Sequence, residues 1–158
     1  MITTMNFVPV TGSTIVLNTD PPGYPIHEYD PSIQDRVDTS RNKSQKQGVW
    51  PTFPYEGGME IRIAGDIYGT SSSDYNDRRQ ALVNAFRRSG GPTVRKHGTF
   101  VVRYDGETED WVTDVVVTGF SAPRDADSWA RSPFSVVLFS WTPYFIGGTT
   151  PSNIYYDA

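Results

Sequence analysis

Between Met59 and Tyr68 the sequence alternates: Met59, Ile61, Ile63 and Ile67 stand in one phase and Glu60, Arg62, Ala64 and Asp66 in the other. A period of two fits a strand with one buried face and does not fit a helix, whose faces repeat every 3.6 residues. Gly65 falls on the apolar phase, where a missing side chain predicts a bulge or the close approach of another backbone. Phe134, Val136 and Leu138 alternate with Ser135 and Val137 in a second strand that runs on to Trp141, ahead of Pro143-Tyr-Phe145. Thr99 to Tyr104 and Trp111 to Phe120 flank the acidic turn Asp105-Gly-Glu-Thr-Glu-Asp110 and read as a hairpin. Ser13 to Asn18 is β-branched and strand-like, and Asn153 to Tyr156 has the makings of a short edge strand.

One segment departs from this pattern. Ser71-Ser-Ser-Asp74 signals a helix start with Asp74 or Ser73 as N-cap. Tyr75, Leu82, Ala85 and Phe86 recur at helical spacing, and Gly90-Gly91-Pro92 stops the run. The expected helix is about 14 residues, or about 21 Å, long. No βαβ alternation is present, so the fold class is mainly β with one helix: an antiparallel β-sandwich or partial barrel with one α-helix packed on it.

The 158 residues, 37% of them hydrophobic, match one domain over 1–158 with a core of normal size. Residues 19–57 are the difficulty. This stretch holds six prolines (Pro21, Pro22, Pro25, Pro31, Pro51 and Pro54), the polar tract Ser40 to Gly48, and no clear period. A connection of that length reads as a long loop or arm. Trp50, Phe53 and Tyr55 crowd its end, and three rings that close together are costly to leave in water. They suit an inter-subunit contact or a sugar-stacking platform, while covering the domain's own core explains them more simply.

Charge is distributed unevenly. The formal sum is −4, yet Arg78, Arg79, Arg87, Arg88, Arg95, Lys96 and Arg103 form a run of seven cations with no carboxylate between them. Asp105, Glu107, Glu109, Asp110, Asp114, Asp125 and Asp127 follow, with Arg124 as the only cation among them. Each block is explained as a solvated face. Opposite blocks that meet between copies of the chain are the sharper reading, which makes Arg78, Arg79, Arg87, Arg88, Glu107, Glu109 and Asp110 candidate contact residues. The acidic balance argues against specific nucleic-acid binding.

Chemistry has little material. Cysteine is absent and the two histidines, His27 and His97, are far apart in the sequence. Ser40-Arg-Asn-Lys43 matches an acyl-transfer pattern but sits in a polar tract without supporting motifs. His27-Glu28-Tyr29-Asp30, read as an extended loop, points successive groups in different directions, and Glu107 and Glu109 lie in a solvated turn. No phosphate-binding glycine motif occurs. The expectation is a non-enzyme without metal or cofactor. No apolar run is long enough for a bilayer span, and Met1 to Val10 has no signal-peptide pattern, which suits a chain made in a cytoplasm.

The order of segments resembles a known family. A polar stretch ending Gln47-Gly48, then Gly58-Met-Glu-Ile-Arg-Ile-Ala-Gly65-Asp-Ile, a helix opening Asp74-Tyr-Asn-Asp-Arg-Arg-Gln-Ala-Leu82, the strand Gly98-Thr-Phe-Val-Val-Arg, and Ser132-Pro-Phe-Ser-Val-Val-Leu-Phe-Ser140 before Pro143-Tyr-Phe145 is similar to the distal tail proteins (minor tail proteins) of long-tailed bacteriophages. The likeness covers roughly Arg36 to Phe145 and rests on order and spacing. It implies a tail-tube-like β-sandwich that assembles as a hexameric ring in the virion, joining the tail tube to the hub of the baseplate, so the implied partners are other copies of the chain, the tail tube protein and the tail hub protein. The carbohydrate-binding second domain of some members is not expected here. A tail-tube or tail-terminator subunit is the nearest alternative, and a carbohydrate-binding module using Trp50, Phe53 and Tyr55 is the alternative from another class.

Overall fold

The computed structural model describes residues 2–35, 41–42, 49–50, 56–87, 96–124, 130–142 and 144–147. Its elements in chain order are β1 (Ile2–Pro9), β2 (Ile15–Leu17), β3 (Ile26–Asp35), β4 (Arg41–Asn42), β5 (Val49–Trp50), β6 (Glu56–Tyr68), α1 (Ser72–Phe86), β7 (His97–Tyr104), β8 (Trp111–Ser121), β9 (Arg131–Ser140) and β10 (Ile146–Gly147). The protein is mainly β, with a single helix among the described residues. One antiparallel sheet runs β2-β1-β7-β8-β9-β6-β3, with β10 added beside β8, and β4 and β5 form a separate two-stranded ladder.

The alternation in β6 has the predicted result: Met59, Ile61, Ile63 and Ile67 are buried. Gly65 meets the expectation in both ways. A Cβ there would overlap the carbonyl oxygen of Pro25, which accepts a hydrogen bond from the Asp66 N–H at 3.0 Å, and the β3–β6 register shifts beside it, between Ile26 and Glu28. The hairpin of β7 and β8 and the strand β9 form as read. Asn153 to Tyr156 lies outside the described residues.

Five strands were not expected: the two-residue strands β4, β5 and β10, of which β4 and β5 fall in the stretch read as an arm, and the longer β1 and β3. In β1, Met5 and Phe7 alternate with half-buried Thr4 and Asn6, a short pattern that the sequence does carry. In β3, part of the segment read as a loop or arm, Ile26 and Tyr29 both pack on the core although three positions apart. The bulge at His27 permits this by adding one residue to the count, and it removes the alternation that would have announced a strand. His27-Glu28-Tyr29-Asp30 is therefore strand, not loop.

A middle strand ordinarily pairs with both neighbours along its length. Here β8 divides its length: Trp111 to Val116 pairs with β7, and Val116 to Ser121 pairs with β9. A bulge between Val117 and Gly119 follows the handover, the usual device for turning a strand from one sheet direction to another. The sheet bends accordingly. Although β3 and β7 are four places apart in the strand order, Tyr29 stacks on Phe100 with ring centroids 6.2 Å apart, and its hydroxyl lies 3.3 Å from that of Tyr104. In a flat sheet four strand spacings would separate them by about 19 Å.

Helix α1 lies across the opening left by the bend. Its N-cap is Ser71, not Ser73 or Asp74: the Ser71 hydroxyl accepts from the Asp74 N–H at 3.1 Å, while Asp74 accepts from the Thr70 N–H at 2.8 Å. The helix ends at Phe86, before the glycines, with the Arg87 N–H bonded to the Val83 carbonyl. Tyr75, Leu82, Ala85 and Phe86 are buried as predicted. Phe86 stacks between Phe7 of β1 at 4.8 Å and Phe120 of β8 at 5.8 Å. The buried Tyr75 hydroxyl meets Ser132 of β9 at 2.6 Å, and the Tyr24 hydroxyl donates to the Arg78 carbonyl at 2.7 Å.

Replacing Phe86 with Ala removes the ring shared by two strands and is expected to cost about 3–5 kcal/mol, measurable by chemical denaturation. Burial pushes the Tyr24 phenol up to about 12 and raises that of Tyr29 as well. Both rings are neutral in folded and unfolded chains below the ordinary phenol range of about 10. Above it only the unfolded chain ionises freely, so stability falls between pH 10 and 12 and Tyr24→Phe flattens that fall in an alkaline unfolding curve.

Candidate interaction surfaces

The basic block does not form one free face. Arg78 holds Asp74 one helical turn away at 2.9 Å, and this contact draws the Asp74 carboxyl below its ordinary range. Arg79 reaches across to the Ala122 carbonyl, donating from Nε at 3.2 Å and from Nη2 at 2.8 Å, so this cation is a clamp between the helix and the end of β8. Lys96 is buried, and Arg103 pairs with Asp110 at 2.8 Å across the β7–β8 hairpin. The two charge blocks thus meet inside one chain at Arg103 and Asp110. Arg87 is exposed after the helix end, and Arg88 lies outside the described residues.

The acidic turn is an exposed projection. Asp105, Glu107 and Glu109 are exposed, Thr3 donates to Asp105 at 2.5 Å, and the Trp111 indole N–H donates to Glu107. Trp50 belongs to β5, where its backbone pairs with Arg41, while Phe53 and Tyr55 lie outside the described residues. Among the described residues, no three His, Asp or Glu side chains gather as a metal site, and no helix is long and apolar enough to cross a membrane.

A surface missed in the sequence lies beside β7 and β8. After Ser140 the chain leaves the side of β8 and returns only at Ile146, which pairs with Val112. Trp141 and Tyr144 sit on this detour, 75% and 52% exposed. The Trp141 ring meets Phe139 at right angles, with centroids 5.0 Å apart. Beside it a groove of about 310 Å³ is lined by Val10, His97, Thr99, Asp114 and Trp141. The sequence signal was present: Phe139 stands on the polar phase of β9, and Trp141 continues that phase just past the end of the strand.

Comparison with known proteins returns no matching family model and no matching curated protein.

Because Arg79 holds a backbone carbonyl that otherwise loses its partner, Arg79→Ala is expected to destabilise the fold by about 1–3 kcal/mol. Glu109→Gln, in the exposed turn, is expected to change it by under about 0.5 kcal/mol. Thermal unfolding of the two variants checks the contrast.

Proposed function

We propose that this chain is a structural, non-enzymatic subunit that associates with copies of itself into a ring, hexameric by the family resemblance, at the distal end of a bacteriophage tail. Its neighbours there are the tail tube protein and the tail hub protein. The segments that carry the resemblance fall on β6, α1, β7 and β9, which together frame one core.

The observation that carries the reading is the relation between two ladders. Asp35 pairs with Glu56 at the end of the β3–β6 ladder, and Arg41 pairs with Trp50 at the start of the next. Five residues separate the ladders on each side, so pairing resumes in the same register. In register, β4 and β5 continue the pairing of β3 and β6 as a separate two-stranded ladder. A two-stranded ribbon is marginal in water, and its outer edges offer unpaired backbone groups, so a partner that covers it stabilises it.

A neighbouring copy suits the ribbon in charge. From Arg41 to Gly48 the sequence carries Arg41, Lys43 and Lys46 and no carboxylate. The exposed turn with Asp105, Glu107 and Glu109 supplies the opposite sign. A contact between unlike surfaces of identical chains closes into a ring when its rotation permits.

Native mass measurement of the full chain tests this: a ring of several copies is expected. The double variant Lys43→Glu, Lys46→Glu is expected to weaken association at least tenfold, and adding Glu107→Lys and Glu109→Lys is expected to recover much of it. A strictly monomeric chain at high concentration that is also absent from purified virions overturns the reading.

A further inference from the structure

We infer that the groove beside Trp141 binds a neutral hexopyranose, presented as a sugar unit of an oligosaccharide. This does not depend on the ring reading, since the groove is built within one chain.

The groove is held by the sheet. Val8, Thr99 and Asp114 stand side by side in one cross-strand row of β1, β7 and β8, and the Thr99 hydroxyl donates to Asp114 Oδ1 at 3.1 Å. That bond fixes the carboxylate on strands already locked by their ladders, so a ligand meets acceptors whose ordering cost has been met in folding. Trp141, carried on the detour between β9 and β10, forms the apolar wall and Val10 adds to it.

These groups match the two kinds of surface on a pyranose. Its C–H face is apolar and slightly positive, and stacks on an indole, whose face is negative. Its hydroxyls donate to the carboxylate and to the Thr99 oxygen, whose own proton is held by Asp114, and exchange hydrogen bonds with the His97 ring. A volume of about 310 Å³ is at the low end of small-molecule sites, which run from about 300 to 1,000 Å³, and takes one ring with its neighbours in the chain left in solvent.

Charge and polarity separate this occupant from others. An acidic sugar or a nucleotide brings negative charge to Asp114, on a chain whose net charge is already −4. A protein partner ordinarily presses apolar side chains into an interface core depleted of carboxylates, whereas here Asp114 lines the groove.

Calorimetric titration of the full chain with neutral disaccharides built from glucose, galactose or N-acetylglucosamine tests the inference, with a glucuronic-acid disaccharide as the anionic probe. At least one neutral sugar is expected to bind with a dissociation constant on the order of millimolar, as suits a few contacts to one ring, and the acidic one at least tenfold more weakly. Trp141→Ala is expected to abolish binding, Asp114→Asn to weaken it about tenfold, and Val16→Thr, on β2, to leave it unchanged, with thermal unfolding to verify each fold. The inference is overturned if no neutral sugar binds, or if folded Trp141→Ala and Asp114→Asn both bind like the parent. It is also overturned if Trp141→Ala changes the mass of the assembly while no sugar binds, which makes the groove a contact between copies. That last outcome leaves the ring reading standing, whereas sugar binding by a chain that is strictly monomeric at high concentration and absent from purified virions removes the ring reading and leaves this one.

Discussion

The division of β8 at Val116 is the constraint from which the rest of the molecule follows. One strand supplies the edge of two half-sheets, β7 bonding its first part and β9 its second, so the sheet must bend where the partners change. The bend brings Tyr29 of an edge strand against Phe100 and Tyr104 and encloses apolar side chains that a flat sheet would leave facing water. It also leaves β8 unaccompanied by β9 over Thr113 to Val115, and there the chain makes the detour that carries Trp141 and Tyr144 outward.

The helix then completes what the bend begins. It has only four buried residues, too few to hold it by apolar contact alone, and it is tied by polar contacts as well. Tyr75 reaches Ser132, Arg79 reaches the Ala122 carbonyl, and Tyr24 reaches the Arg78 carbonyl. These bonds explain why part of the basic block serves the fold. A guanidinium spaced along a helix reads as surface charge until the far end of another strand comes within reach of it.

The separation of apolar and charged outer faces bears on how such a domain meets its surroundings. On the outer side of β6, Arg62 pairs with Glu60 at 2.7 Å and Asp66 with Arg131 at 3.3 Å, so that half of the sheet is dressed for water. On the other half, Val16 of β2 and Val8 of β1 are exposed, and Val10, just past β1, lines the groove with Trp141. The two contacts proposed for this chain, a paired ribbon against a neighbour and a groove for a sugar, use different parts of the surface and do not compete.

Local periodicity was sufficient for β6, β9, the β7–β8 hairpin and the buried face of α1, because each is a run whose neighbours in sequence set its buried side. It failed for β3, where a bulge puts Ile26 and Tyr29 on one face at a spacing of three, and where Pro31 suits the edge of a sheet. The candidate charges were legible as blocks, but their use was not: Arg103 and Asp110 meet through the hairpin, and Arg79 spends its donors on a carbonyl 43 residues away. The sequence by itself determined the mainly β character, the single helix and most of the core. Only the tertiary structure decided the strand order, the handover in β8 and the groove at Trp141, because these depend on which distant backbones bond to each other, and no local pattern of side chains encodes that pairing.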